Sequence, residues 1–304
     1  MEKNNKNNLS NIIKPFFDLS FFFLIVTIIL FGLLILTTSS IELSYKNYGE
    51  PFHYSFQQIG YLIFSVFACS FFLFLSSENL KKNYKVFLLF FLFLLVLVVI
   101  PDIGKTVNNS TRWLSYGGLN IQPSEFFKLF YVIWLCAYLD YNKKNIHRFE
   151  IFIIPILCFF ISAILLLKQP DFGSTAVIFL MTFVMMFIAR AKIFHLMTLF
   201  FSGAIGASIL IYLSPERLSR FNLIEPCSDY LGDGYHLCWS LMAIGSGGIF
   251  GKGLGASTTK LSYLYGAHTD FIFAILAEEL GIFGVVFTII LFYLFIKKCF
   301  FVGD

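Results

Sequence analysis

The sequence predicts an all-α, polytopic integral membrane protein with about eight transmembrane helices and one large outer loop before the eighth. Of its 304 residues, 58% are hydrophobic and only 13% are charged, about half the charged share of an average soluble domain. The 41 phenylalanines lie in apolar runs that are too long for a globular core to bury. A lipid bilayer is therefore the expected solvent for most of the chain.

Eight apolar runs are read as spanning helices, because a helix needs about 20 mainly apolar residues to cross the hydrocarbon core. They cover residues 16–38, 58–77, 86–101, 123–139, 151–168, 173–189, 194–213 and 271–296. The last two runs are separated by the large loop 214–270. Within it, residues 237–244 are apolar enough to predict a short interfacial or re-entrant helix.

Ten lysines and arginines that flank the predicted helices in short patches fall on one side of this predicted topology. They are Lys81, Lys82, Lys85, Lys143, Lys144, Arg148, Arg190, Lys192, Lys297 and Lys298. Since cytoplasmic loops carry the excess of positive charge, this side and the N-terminal tail 1–14 are predicted to be cytoplasmic. The polar segments 101–122, 168–172 and 214–270 then lie on the outer face. The net charge of +4 is spread over short patches, so no nucleic-acid partner is expected.

Four polar residues near the outer ends of helices are candidates for binding an anion. Pro123 suits the first turn of a helix, which predicts that the fourth helix begins there. Glu125 and Lys128 are three residues apart in this helix and therefore share one face. A lysine inside the membrane is costly unless it is paired or lines a polar cavity. Arg112 has the planar fork that matches phosphate oxygens, and Lys168 ends a helix. A capped helix with a snorkelling lysine and a solvated arginine remain open alternatives.

A glycine cluster at 245–255 contains Lys252. It does not match a P-loop, because Gly253 follows Lys252 where serine or threonine is required. One interpretation is a sharply turning loop that packs closely on helices. The other is a set of backbone N–H groups lining an anionic site, with Lys252 beside it.

Four ionisable residues surround the start of the last predicted helix. His268 and Asp270 stand where the large loop meets the helix, and Asp270 could be an N-cap. Glu278 and Glu279 follow about two turns later, too deep to be caps. Intramembrane acids are functional candidates by default, and Lys128 is one conceivable partner for them.

Cys227 and Cys238 share the large loop. A disulfide is compatible with an outer location, but nothing in the spacing requires it, so both states stay open. No metal-ligand quartet is visible in the sequence.

Several stretches resemble, in order and spacing, the SEDS family (shape, elongation, division and sporulation). They are 107–114, 119–128, 168–174, 234–235, 240–248, 251–255 and 268–281. The resemblance covers most of residues 16–290, and the segment 107–139 is most similar to the cell-division branch. Family members normally have ten helices. The resemblance therefore implies one SEDS-type membrane domain over 1–304 that lacks the last two.

The resemblance implies a peptidoglycan glycosyltransferase that polymerises lipid II on the periplasmic face of the inner membrane, at the division septum. Asp270 maps to the family's essential aspartate and would act as general base. Undecaprenyl pyrophosphate would leave, held by candidates among Arg112, Glu125, Lys128, Lys168, Lys252 and His268, with Glu278 and Glu279 as supporting carboxylates. A divalent cation, Mg or Mn, could assist without a dedicated cage. The implied partner is a class B penicillin-binding transpeptidase, among other divisome membrane proteins.

Two further functions remain open at the level of sequence. A lipid II flippase or other transporter would also use charged residues inside the membrane. A non-catalytic divisome scaffold would suit a chain without the last two family helices. Asp270 separates these hypotheses, because only the polymerase needs one outer base.

Overall fold

The computed structural model describes residues 18–74, 77–101, 103–107, 110–116, 119–214, 227, 232, 234–261, 264 and 266–303. The predicted tail 1–14 and parts of the loop 214–270 lie outside these residues. The described chain forms two compact units. One is drawn from Met1–Cys69 and Glu216–Asp304, and the other is Ser70–Pro215.

The described residues are mainly helical. The helices are α1 (Leu19–Tyr48), α2 (His53–Phe74), α3 (Ser77–Lys82), α4 (Tyr84–Val99), α5 (Pro123–Tyr141), α6 (Phe149–Lys168), α7 (Phe172–Ile188), α8 (Ile193–Tyr212), α9 (Tyr235–Gly247) and α10 (Ile272–Gly303). Each predicted apolar run coincides with one of them, and α9 forms where a short loop helix was predicted. The mainly helical membrane fold is therefore confirmed.

Four of these helices are long and apolar enough to cross a membrane: Leu19–Tyr48, Phe149–Lys168, Ile193–Tyr212 and Ile272–Phe301. Two shorter apolar helices are Tyr84–Val99 and Phe172–Ile188. The total of eight spans and the cytoplasmic position of the N-terminus stay predictions.

Helix α1 continues to Tyr48, past the predicted end at residue 38. The prediction stopped at a run of polar residues that begins at Thr37. In the structure the hydroxyl of Ser39 donates to the carbonyl of Leu36, and the hydroxyl of Ser40 donates to that of Thr37. Back-bonding of this kind satisfies serine within a helix, so the helix does not end there.

Helix α5 packs at the centre of the unit Ser70–Pro215. Tyr131 is fully buried, and its hydroxyl lies 2.8 Å from Oγ1 of Thr182 on α7. Pro155 interrupts α6 and cannot donate to the carbonyl of Ile151. The hydroxyl of Tyr138 donates to that carbonyl at 2.9 Å. Side chains of α5 therefore hydrogen-bond to both neighbouring helices.

A small antiparallel sheet occupies the predicted outer loop 101–122. It consists of β1 (Gly104–Val107), β2 (Ser110–Tyr116) and β3 (Leu119–Ile121), in the order β1-β2-β3. The sequence predicts an outer loop here without strands, so the sheet is an addition to the all-α description. It carries Arg112 and Trp113 on its central strand.

Helix α10 is broken at Gly281, where φ is 64° and ψ is −160°. The sequence analysis predicted an unbroken helix at this point. The amide of Ile282 donates to the carbonyl of Gly248 at 3.0 Å, instead of to a residue of its own helix. The amides of Lys252 and Gly253 donate to the carbonyls of Glu278 and Glu279, both at 2.9 Å. The loop after α9 thus replaces the helical hydrogen bonds that the break removes.

Cys227 and Cys238 form a disulfide in the structure. This resolves the pairing that the sequence analysis left open. The described free cysteines are Cys69, Cys136, Cys158 and Cys299.

Gly247 provides a test of the close packing between α9 and α10. A Cβ at this position would lie 2.0 Å from the carbonyl oxygen of Ala277, whereas a Cβ at Gly245 would meet nothing within 4 Å. We expect Gly247→Ala to destabilise the protein by about 1–3 kcal/mol, as overpacking does. Gly245→Ala on the same helix is the matched control and should leave stability unchanged or slightly higher. Thermal unfolding in detergent measures both, and equal melting temperatures would contradict the packing described here.

The disulfide predicts a thiol count. When the protein is denatured without reductant, four cysteines should react with an alkylating reagent, and all six should react after reduction. Cys136→Ser should lower both counts by one, which makes it the control. Six reactive thiols before reduction would show that Cys227 and Cys238 are not joined.

Candidate active site

Asp270 lies in an exposed turn, two residues before helix α10 begins at Ile272. Its position before the helix start does not support the N-cap alternative. Among the described residues, no hydrogen bond or ion pair reaches its carboxylate, and its one charge interaction is with His268. The carboxylate is therefore available to a molecule outside the protein.

Backbone hydrogen bonds and buried apolar residues hold the turn that carries Asp270. The amides of Thr269 and Phe271 both donate to the carbonyl of Gly266, at 3.0 and 3.1 Å. Leu264 and Ala267 are buried in an apolar cluster that also contains Ala243 of α9 and two residues of α10, Ala274 and Ile275. These contacts hold the backbone from which the Asp270 side chain projects.

His268 stacks on Tyr54 of α2, with ring centroids 5.2 Å apart. Partial burial lowers the pKa of His268 below its ordinary value, and the nearby Asp270 carboxylate opposes this only in part. The imidazole is therefore neutral at pH 7. It can offer a hydrogen bond to a ligand there, but not the positive charge that a pyrophosphate site would use.

Glu278 is completely buried and accepts hydrogen bonds from several groups of the loop before Asp270. Its Oε1 accepts from Lys252 Nζ at 2.6 Å and from the amide and hydroxyl of Thr258 at 3.2 and 3.1 Å. Its Oε2 accepts from the hydroxyl of Ser257 at 2.5 Å and from that of Thr259. The Glu278 carboxylate therefore binds the side chains of four loop residues, Lys252, Ser257, Thr258 and Thr259.

Glu279 is also completely buried and pairs with Lys260, whose Nζ lies 2.8 Å from Glu279 Oε1. The same Nζ donates to the carbonyl of Gly255 at 2.8 Å and to that of Thr38 on α1 at 2.9 Å. Only 6% of the Lys260 side chain is exposed. The ion pair therefore ties α10, the loop and α1 together inside the protein.

These contacts answer two questions that the sequence analysis left open. Glu278 and Glu279 pair with Lys252 and Lys260, so the pairing with Lys128 suggested from the sequence is wrong. The glycine cluster packs closely on α10, and the amides of Lys252 and Gly253 bind the chain's own carbonyls. The close-packing interpretation of this cluster therefore accounts for what the structure shows.

The remaining candidates lie in the unit Ser70–Pro215. Lys128 Nζ is 2.8 Å from Glu125 Oε1, in the first turns of α5. Arg112 donates from Nε to the carbonyl of Gln169 at 3.1 Å and from a terminal nitrogen to that of Pro170. This places its guanidinium against the turn that follows Lys168. Lys168 is exposed, with no ion pair among the described residues.

Asp171 begins α7 by accepting a hydrogen bond from the amide of Ser174 at 3.1 Å. This is the capping role that its position predicts. The turn 169–171 is thus held by the cap on one side and by Arg112 on the other.

The sequence analysis missed four residues that bind the buried glutamates: Ser257, Thr258, Thr259 and Lys260. In the sequence these residues form a run of three hydroxyl side chains followed by a lysine. Such a polar run is unusual in a mainly apolar chain and could have drawn attention to this segment. The run could be noticed, but its partners are about 20 residues away on another element.

Within the part of the chain that the structure describes, no group of three His, Cys, Asp or Glu side chains is placed to hold a metal ion. The acidic residues of the site are instead paired with lysines or separated from each other.

The chain is similar to curated proteins of one name. The chain is 36% identical over 288 residues to the probable peptidoglycan glycosyltransferase FtsW of Thioalkalivibrio sulfidiphilus, covering 94% of this chain and 72% of that protein. It is 37% identical over 295 residues to the protein of the same name from Haemophilus influenzae, covering 94% and 73%.

Solved structures share the fold. The rod shape determining protein RodA of Thermus thermophilus has a TM-score of 0.65 at 24% identity, over 93% of this chain and 73% of that one. A chain from a peptidoglycan synthase complex that coordinates polymerization and crosslinking has a TM-score of 0.72 at 23% identity, over 93% and 76%. The family described as cell cycle proteins, FtsW/RodA/SpoVE, matches residues 18–304. The chain therefore belongs to the FtsW/RodA/SpoVE family of cell cycle proteins.

Proposed function

We propose that the protein is a peptidoglycan glycosyltransferase that polymerises lipid II into glycan strands at the division septum. The observation that carries the proposal is the exposed Asp270 carboxylate, held in a packed turn at the start of an apolar helix. Such a group can reach a sugar whose lipid tail remains in the bilayer. The curated relatives named as peptidoglycan glycosyltransferases support the same activity.

The protein is a multi-pass protein of the inner membrane, as its apolar helices and its family indicate. We further propose that Asp270 faces the periplasm. The positive charge in the opposite loops supports this orientation. The disulfide between Cys227 and Cys238 supports it as well, because disulfides persist in oxidising compartments.

In the proposed reaction, the 4-hydroxyl of an acceptor sugar attacks the anomeric carbon of a donor linked through an α-pyrophosphate. Asp270 takes the hydroxyl proton as the new glycosidic bond forms. The bond between the anomeric carbon and the pyrophosphate oxygen breaks, and undecaprenyl pyrophosphate leaves with the bonding electrons. Attack opposite to the leaving group inverts the anomeric configuration.

The leaving pyrophosphate gains negative charge that cationic side chains would stabilise. Arg112, Lys128 and Lys168 are the proposed ligands. The Arg112 guanidinium uses two of its N–H groups to bind the carbonyls of Gln169 and Pro170, and its other N–H groups remain to bind phosphate oxygens. Lys252 is less suited, since its Nζ lies 2.6 Å from the completely buried Glu278, which has no water to replace this partner, whereas the Glu125 partner of Lys128 is exposed.

A class B penicillin-binding transpeptidase is the proposed partner. One solved relative comes from a peptidoglycan synthase complex in which polymerization and crosslinking are coordinated. A strand that leaves the polymerase would be cross-linked by such a partner.

Replacing Asp270 tests the polymerase. Asp270→Asn keeps the shape of the side chain but removes the base, so we expect lipid II polymerisation by the complex with its transpeptidase to fall about 100-fold or more. Asp140→Asn replaces another exposed aspartate that pairs with Lys81 and should retain the parental rate. Glycan formation at the parental rate by Asp270→Asn would refute the proposed role. If Asp270→Asn restores cell division in cells that lack the parental protein, the alternative of a non-catalytic divisome scaffold would be favoured.

Replacing Arg112 tests the pyrophosphate site. Arg112→Lys keeps the charge but loses the planar fork, so kcat/KM for lipid II should fall about tenfold, the equivalent of one charged hydrogen bond. Lys105→Met removes a cation from the neighbouring strand, where it contacts Asn120, and serves as the control. Equal losses in both variants would indicate general electrostatics and not a specific contact.

A further inference from the structure

The segment that carries Asp270 is a closed loop whose two ends are joined by buried side chains. Thr259 at one end donates to Glu278 at the other, and Lys260 pairs with Glu279. Each pair of residues is 19 positions apart in sequence. We call this junction of Ser257, Thr259, Lys260, Glu278 and Glu279 the neck.

The neck is built from groups that water does not reach. Glu278 and Glu279 are 0% exposed, and Ser257 and Thr259 are also buried. A ligand cannot contact these carboxylates unless the loop opens. Both oxygens of Glu278 and Oε1 of Glu279 accept hydrogen bonds from the protein itself, which distinguishes these residues from the exposed Asp270.

Backbone hydrogen bonds connect the neck with the turn that carries Asp270 in two steps, which are joined by the peptide bond between Gly266 and Ala267. The backbone carbonyl of Thr259 accepts from the amide of Leu264 at 3.1 Å, and the carbonyl of Leu264 accepts from the amide of Ala267 at 3.3 Å. Gly266 then binds the amides on both sides of Asp270, those of Thr269 and Phe271. Closing the loop at its neck removes conformational freedom from every residue within it.

We infer that the neck residues are positioning residues, which hold the Asp270 carboxylate at a fixed place for the reaction without touching substrate. The inference rests on the proposed function. General-base catalysis requires the base within hydrogen-bond reach of the proton that it takes, and a displacement of about 1 Å can cost about 100-fold in rate. The neck therefore acts on the chemical step and not on substrate binding.

Thr259 offers an isosteric test. Thr259→Val removes the hydroxyl that binds Glu278 and keeps the volume, whereas Thr259→Ser keeps the hydroxyl. Thr198→Val is the matched control, because its hydroxyl binds only the carbonyl of Phe194 within its own helix. If Thr259→Val does not fold, Ser257→Ala, which removes the other hydroxyl on Glu278 Oε2, replaces it in the same measurements.

The first measurement is lipid II polymerisation by the complex with the transpeptidase, with kcat and KM determined separately. We expect Thr259→Val to lower kcat about tenfold or more while KM changes by less than about twofold. Thr259→Ser should restore most of the rate, and Thr198→Val should equal the parent. An unchanged kcat, or a loss confined to KM, would overturn the inference.

The second measurement is amide hydrogen exchange over residues 264–271, which does not depend on activity. Local opening exposes amides to exchange, so Thr259→Val should accelerate exchange in this segment about tenfold, while helix α6 keeps its protection. Normal protection together with a lost rate would show that the neck does not hold the turn. If Asp270→Asn keeps full activity, the proposed function fails even where the exchange result shows that the neck holds the turn.

Discussion

The break of helix α10 at Gly281 is the constraint on which the structure of the loop between α9 and α10 depends. A broken helix in an apolar environment leaves carbonyls and amides that must find partners within the protein. The loop after α9 supplies them, through Gly248 on one side and the amides of Lys252 and Gly253 on the other. Because this loop must approach the helix backbone closely, a Cβ at Gly281 would collide with the backbone of Gly251 and Ile249.

Two adjacent buried carboxylates are a consequence of that arrangement. An ionised group in the membrane is expensive unless a partner and hydrogen bonds replace its water. Glu278 has Lys252 as its partner and accepts hydrogen bonds at both oxygens. Glu279 has Lys260 as its partner, but its second oxygen, Oε2, is buried without a hydrogen-bond partner among the described residues. Removing either lysine would leave an uncompensated buried charge, so we expect the loss of one partner to be strongly destabilising.

The apolar helices and α9 could be predicted from the sequence because each corresponds to a local apolar run, whereas the short polar helix α3 was not predicted. The sequence analysis also singled out Asp270, Lys252 and the two glutamates as unusual residues. The sheet around Arg112 was missed because its strands are short and polar, without a clear alternation. The break at Gly281 and the pairing of Glu279 with Lys260 were missed because both depend on contacts between distant segments, which local propensity cannot reveal.

The contrast between Asp270 and Glu278 argues for their different roles. A general base must have a lone pair free for the substrate proton, and the exposed Asp270 meets this condition. Glu278 has both oxygens occupied by lysine, hydroxyl and amide donors. It cannot take a proton from a sugar, but it can fix the loop before the substrate arrives. Because a preorganised site needs little rearrangement during the reaction, the two carboxylates would serve the proposed step in different ways, Glu278 by holding the loop and the exposed Asp270 as the base.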